Sequence, residues 1–219
     1  MTSPNASTRR RAGDEDNLTE WFMLHKREVT WAVVAILVIA GGIWFYERSQ
    51  TIKSQRAEAA FYQARQAAAS GNLPLAASDL QKVVTRYEGT QGGAQAAVAL
   101  AQVLYEQKKF KEGIDALKKA EGDVPDDFKA SVHVVQAAGY EELKDFTSAA
   151  QQYEAAAKVT RFPADKAEYQ ADAARNYTAA GKKDLAKGIW TELAKDETNP
   201  LSAEAKVRLG ELEAKPMST

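Results

Sequence analysis

Apolar positions along the chain fall into two regimes. Between Glu28 and Glu47 eighteen residues carry no charge and read VTWAVVAILVIAGGIWFY. As a helix they would reach about 27 Å, close to the hydrocarbon thickness of a bilayer. Trp31 stands near one end and Trp44 and Tyr46 at the other, where amphipathic rings favour the headgroup layer. A core helix this apolar would need cover on every side, and the flanking sequence is charged, so residues 29–46 are expected to be a single membrane span. Ala40 and Gly42 present a small-x-small pair to a signal peptidase. The 28 residues ahead of the run, and the bulky Ile43, Trp44, Phe45 and Tyr46 beyond the pair, favour an uncleaved anchor instead.

After the anchor the apolar residues recur at helical period, with breakers at regular intervals, which points to an all-α repeat. Aligning Gly71, Lys108, Lys144 and Gly181 gives offsets of 37, 36 and 37 residues. Seven residues earlier every repeat has alanine (Ala64, Ala101, Ala137, Ala174), and five later a small residue (Ala76, Gly113, Ala149, Ala186). Small side chains at both places let two helices approach closely. The second helix then carries a stripe made by Leu80, Leu117, Tyr153 and Trp190 and, three residues on, by Val83, Ala120, Ala156 and Leu193. Pro125, Pro163 and Pro200 follow the stripes, where a helix should stop, and Asn199 reads as an N-cap before Pro200. The Gly92 and Gly93 pair reads as a helix stop and turn between repeats. A last first-helix begins near Ser202 with no second helix after it, suited to closing the end of a solenoid.

Composition narrows the function more than it directs it. The 219 residues hold 29 Lys and Arg against 30 Asp and Glu, so no basic surface for nucleic acid is expected. The chain has no cysteine, which removes disulfides, thiolate metal sites and cysteine nucleophiles. Within about 20 residues of the span, five Lys or Arg precede it and four follow. Residues 1–28 should therefore be a cytoplasmic tail, and their polar, aperiodic composition predicts disorder. His25 and His133 cannot form a metal-ligand set, and His133 falls where repeat helices pack, so it is expected to be a packed residue and not a base. No hydrolase elbow, phosphate loop or zinc-protease motif is present. Asp126 and Asp127 sit at a helix start, and Glu141 and Glu142 on a mostly solvated side. Asn176 in Asn-Tyr-Thr lies mid-helix. Neither an enzyme nor a cofactor or small-molecule substrate is expected.

The segments AQVLYEQKKFKEGIDALKKA and AAGYEELKDFTSAAQQYEAAA resemble the tetratricopeptide repeat, with its order of small, aromatic, small and apolar positions. The likeness covers residues 57 to 212. It departs from the family in spacing, in Leu73 and Lys183 where an aromatic usually stands, and in lacking the early tryptophan. The expected fold is all-α: one N-terminal transmembrane helix, then a right-handed solenoid of about four helical hairpins with a C-terminal capping helix. The domain layout is a tail at 1–28, a span at 29–46, a stalk at 47–56, the repeat domain at 57–214 and a disordered end at 215–219.

The whole layout, carried best by WFMLHKREVTWAVVAILVIAGGIWFYERSQ and QRAEAAFYQARQAAASGN, resembles the ancillary SecYEG translocon subunit family of the bacterial inner membrane. The resemblance implies a periplasmic repeat domain that helps exported chains leave the translocon, beside a membrane-anchored peptidyl-prolyl isomerase-type chaperone. Two other readings use the same surface: an envelope signalling protein acting through its tail, and an envelope-assembly adaptor. In tetratricopeptide domains the concave wall comes from first-helix positions spaced i, i+3, i+7 and i+10. Carried over, it includes Phe61, Arg65, Val98, Gln102, Tyr105, Val134, Glu141 and Arg175. Exposed apolar members of that wall, Phe61, Val98, Tyr105 and Val134, would serve a protein partner.

Overall fold

The computed structural model describes residue 21 and residues 23–214. Among these are nine helices and no strand: α1 (Lys26–Ala69), α2 (Leu73–Arg86), α3 (Gln91–Glu106), α4 (Phe110–Ala120), α5 (Asp126–Glu142), α6 (Phe146–Val159), α7 (Pro163–Ala179), α8 (Lys183–Lys195) and α9 (Ser202–Glu213). Two compact units divide between Ile52 and Lys53. The expected disordered stretches, 1–20 of the tail and 215–219, lie outside the described residues, as does Phe22.

In the first unit, the eighteen-residue apolar window of α1 has no buried share. Its tryptophans, Phe45 and the run of Val, Ile and Leu from 33 to 39 all face outward. By length and composition this helix is long and apolar enough to cross a membrane.

The second unit is a stack of four hairpins plus α9. Every hairpin turns in the same way. Gly71, Lys108, Lys144 and Gly181 are four of the five described residues with positive φ, at 78°, 61°, 61° and 74°, and the fifth is Gly89. At each turn two backbone bonds close the first helix. Asn72, Lys109, Asp145 and Lys182 donate to the carbonyls of Ala67, Leu104, Tyr140 and Tyr177 at 3.0, 2.8, 2.9 and 2.8 Å. The positive-φ residues donate three residues back, to Ala68, Tyr105, Glu141 and Thr178. This is a Schellman ending, which needs a left-handed residue. The second helix then starts two residues later in all four repeats, at Leu73, Phe110, Phe146 and Lys183. Asn72 and Asp145 add side-chain caps, accepting from the N–H groups of Leu75 and Ser148 at 3.2 and 3.1 Å.

The small and apolar columns all point inward. Ala64, Ala101, Ala137 and Ala174 are buried, as are Ala76, Gly113, Ala149 and Ala186 and the two stripe rows through Trp190 and Leu193. Much of the core is alanine, so it is thin, with helix axes close together, and the larger rings anchor it locally. Trp190 is 1% exposed and packs among Ala150, Ala174, Tyr177 and Ala205.

Two capping expectations need correction. Gly92 and Gly93 do not stop a helix; they form the first turn of α3, capped by Thr90, whose Oγ1 accepts from Gly93 N–H at 3.1 Å. Their glycine character comes from crowding. A Cβ on Gly92 would lie 2.6 Å from the Ala57 carbonyl carbon, and one on Gly93 would lie 2.2 Å from the Tyr87 oxygen. Asn199 likewise does not cap α9. Its Oδ1 accepts from Leu201 N–H at 2.9 Å inside a turn, and the helix begins at Ser202.

Two predictions follow from this packing. Trp190→Ala should destabilise the repeat unit by about 3 to 5 kcal/mol in urea unfolding, because it empties a sealed site; a cost within about 0.5 kcal/mol, the range of surface changes, would contradict the burial. Gly92→Ala should cost about 2 to 3 kcal/mol through backbone overlap, whereas Gly181→Ala, with open space around it, should cost only the left-handed penalty of about 1 kcal/mol.

Candidate binding surface

The first-helix face is assembled from α1, α3, α5, α7 and α9, and the eight expected contact residues divide there into three kinds. Arg65 and Gln102 are exposed and free to meet a partner. Val98 and Val134 are half-buried against the core. Phe61 is 6% exposed and belongs to the core cluster with Ala64, Leu80 and Leu100. Its expected exposure is therefore corrected: the ring fills the first hairpin, and Arg65 lies over it at 5.7 Å from guanidinium to ring centroid.

Tyr105 also departs from the expectation of a free apolar group. Its hydroxyl donates to the Val135 carbonyl of α5 at 3.0 Å, and its ring occupies the space that side chains at Gly113 and Gly139 would need. Burial pushes its phenol well above the ordinary range, with Tyr140 adding to the shift. Replacing Tyr105 by serine would open a void between α3, α4 and α5, so that change cannot probe binding with the fold untouched.

Glu141 and Arg175 act as ties between successive first helices. Glu141 on α5 accepts from Asn176 Nδ2 on α7 at 2.6 Å, and the same amide nitrogen donates to the Asp172 carbonyl at 3.0 Å. Glu141 is thus not on a solvated side. Asn176 is 6% exposed with its nitrogen engaged, which closes it to glycosylation. Arg175 on α7 makes a fork to α9: Nε to Glu204 Oε1 at 3.1 Å and Nη2 to Glu204 Oε2 at 2.7 Å. Its Nη1 also meets Asp172 at 2.6 Å and Glu168 at 3.6 Å.

These contacts move the titrations in opposite directions. The hydrogen bonds from Arg175 hold the Glu204 carboxyl below its ordinary range. Desolvation dominates at Asp172 and pushes it up, despite Arg175 beside it. Tyr177 is pushed up to about 12 by burial and by its bond to Glu154, whose Oε2 accepts from it at 2.8 Å.

Sequence alone did not reveal Asp172, Asn176 and Glu204 as members of this face. Asp172 was detectable as an i, i+3 partner of Arg175; Glu204, 29 residues from Arg175, had no local signal. A cleft of about 450 Å³ opens at this end, lined by Arg175, Thr178, Lys183, Trp190, Arg208 and Leu212 among others. Lys183 makes no ion pair there.

His133 is packed as expected. Its Nδ1 lies 2.8 Å from Gln152 Oε1, and Nε2 lies 3.9 Å from Glu121. Asp126 and Asp127 stand in the first turn of α5 but spend their charge on Lys129 and Arg161, at 2.6 and 2.8 Å, instead of capping. Among the described residues no group of three or more His, Asp or Glu side chains is placed to hold a metal ion.

With this geometry in hand, the chain belongs to the tetratricopeptide repeat-like domain family, which matches it over residues 19–214. No curated protein matches it significantly. Among solved structures it is similar to the tetratricopeptide-like repeats of a kinesin light chain from Podosopora anserina, with 14% identity and a TM-score of 0.54, covering 73% of this chain and 86% of that one. It is also similar to a thermophilic tetratricopeptide protein of Thermus thermophilus, with 19% identity, a TM-score of 0.46, and coverage of 80% and 94%. At 14% identity the likeness to the first of these speaks for the fold alone.

The Arg175–Glu204 tie yields a pH prediction. A carboxyl held low in the folded chain contributes stability above its unfolded value, about 4.3 for glutamate, and loses it as the pH falls through the folded value. Asp172, held high, has the opposite sign: its contribution is present at low pH and fades as the pH rises through its folded value. Glu204→Gln should therefore lower hydrogen-exchange protection in 202–213 by about 1 kcal/mol at neutral pH. The parent should converge on the variant as the pH drops below about 4.3. A difference that persists unchanged at pH 2 would reject the ion pair as the cause.

Proposed function

We propose that the protein is a membrane-anchored interaction scaffold whose repeat domain lies in the periplasm of a bacterial inner membrane and attends the Sec translocon, helping exported chains together with a membrane-anchored peptidyl-prolyl isomerase-type chaperone. The observation that carries the anchored reading is the unburied apolar helix at residues 29–46, a surface that a bilayer would solvate. Orientation comes from the five basic residues within about 20 residues before the span against four after it. The scaffold reading rests on the family and on a first-helix face whose charged groups are mostly committed to structure, leaving exposed Arg65 and Gln102 and half-buried Val98 and Val134 for contact. A face with few free charges suits extended or partly unfolded protein chains better than a highly charged tail. The Sec assignment itself comes from the resemblance in layout.

Single cysteines in this cysteine-free chain test the topology. Ser202 would be a poor probe, since it is 5% exposed and its hydroxyl donates to the Ala194 carbonyl at 3.3 Å; Ser78 is exposed. In intact spheroplasts a membrane-impermeant thiol reagent should modify Ser78→Cys and leave Ser7→Cys unmodified until the membrane is opened. The reverse pattern would overturn the periplasmic placement. A photo-crosslinker at Gln102 should then trap a translocon subunit or an exported chain, and adducts confined to cytoplasmic proteins would sink the export reading.

A further inference from the structure

A second cleft lies away from the first-helix face. It lies between the second helices α2 and α4, has a volume of about 670 Å³, and is floored by α3. From α2 it takes Ala77, Gln81, Val84, Thr85 and then Glu88 just past the helix end, one face at steps of three and four residues. That face runs about 16 Å, or three helical turns. The floor is apolar, with Leu100, Leu104, Ala94 and Val124 reaching it, and the α4 wall is low because Ala116 and Ala120 stand where larger residues would close the gap.

The rim is charged in a directed way. Glu88, Glu112, Asp115 and Asp123 line it together with only Lys109 and Lys119, and none of these six forms an ion pair. At one end the loops after α2 and α4 converge: a Cβ on Gly89 would lie 3.8 Å from the Asp123 carbonyl oxygen. Glu88 and Asp123 thus both line this end of the cleft, beyond the C-termini of α2 and α4, where the helix dipoles are also negative and where Lys53 Nζ donates to the Glu88 carbonyl at 2.7 Å. The opposite end carries Lys109.

We propose that this groove is a second docking site, independent of the first-helix face, and that it takes an amphipathic helix of a partner protein. The occupant is about three turns long, runs antiparallel to α2 and α4, presents a ridge of apolar residues at i, i+4 and i+7 to the floor, and carries Lys or Arg in its N-terminal turn. The groove length and apolar floor select a helix over an extended strand, since among the described residues there is no sheet edge for a strand to join. The four unpaired carboxylates select a basic one, with its N-terminal turn, the positive end of its own dipole, against Glu88 and Asp123.

The test uses the full chain in lipid nanodiscs and a fluorescent, side-chain-constrained helical peptide of about fifteen residues, with a leucine ridge and two arginines in its first turn. A twin carries aspartates in place of the arginines. Fluorescence anisotropy should show saturable micromolar binding of the basic peptide and at least tenfold weaker binding of its twin. Ala116→Phe, which fills the groove, and the exposed pair Glu88→Lys with Asp123→Lys, which leaves the core untouched, should each weaken the basic peptide at least tenfold. Arg65→Ala with Gln102→Ala on the first-helix face should leave it unchanged, which separates this site from the scaffold surface proposed above. Binding that survives the charge reversal, or that is lost with the Arg65 and Gln102 changes, overturns the proposal. Concentration-dependent dimers of the parent that Ala116→Phe abolishes would put a second copy in the groove and overturn it too.

Discussion

Each hairpin is held by one residue whose backbone must enter the left-handed region. Gly71 and Gly181 do so without a Cβ penalty, and Lys108 and Lys144 bear it. Because the same two backbone bonds close all four turns, the second helix leaves the first at one repeated geometry. The small columns then fall opposite one another, and alanine faces alanine or glycine where larger residues would push the helices apart. The close approach of Gly92 to Ala57 is the same requirement carried across the junction between the first two repeats.

A core built so largely from alanine buries little apolar area per residue, so the stack needs other links between repeats. They lie along the first helices and differ in chemistry at every step. A tyrosine hydroxyl on a backbone carbonyl joins α3 to α5, an asparagine amide on a carboxylate joins α5 to α7, and a bidentate arginine joins α7 to α9. The last link is the strongest kind and falls at the capping helix, which has a neighbour on one side only within the stack. Commitment of these side chains to structure thins the set of groups left for a partner, and it turns the binding question toward half-buried apolar residues and the few free charges.

A division of labour between the two sides of the stack results. The first-helix face is tied and largely neutralised, while the α2–α4 groove keeps its carboxylates unpaired over an apolar floor. On the proposals made above, an extended chain would use the first surface and a folded helix the second.

The hydropathy run, the repeat offsets of 37, 36 and 37, and the buried columns were all legible in the chain itself, because periodicity, charge exclusion and small-residue spacing are local properties of a helix. The four aligned residues even proved to be the left-handed turn positions. Local pattern misassigned Gly92 and Gly93, whose meaning lies in the backbone of Ala57 and Tyr87, and it took Phe61 and Tyr105 for exposed groups when they fill space between helices. Tertiary structure alone decided which charges are free. Whether Arg175 meets a partner or Glu204, and whether Glu88 and Asp123 line one cleft without an ion pair, depends on how close separate helices come. Coulomb energy and desolvation act through that distance, and sequence separation does not encode it.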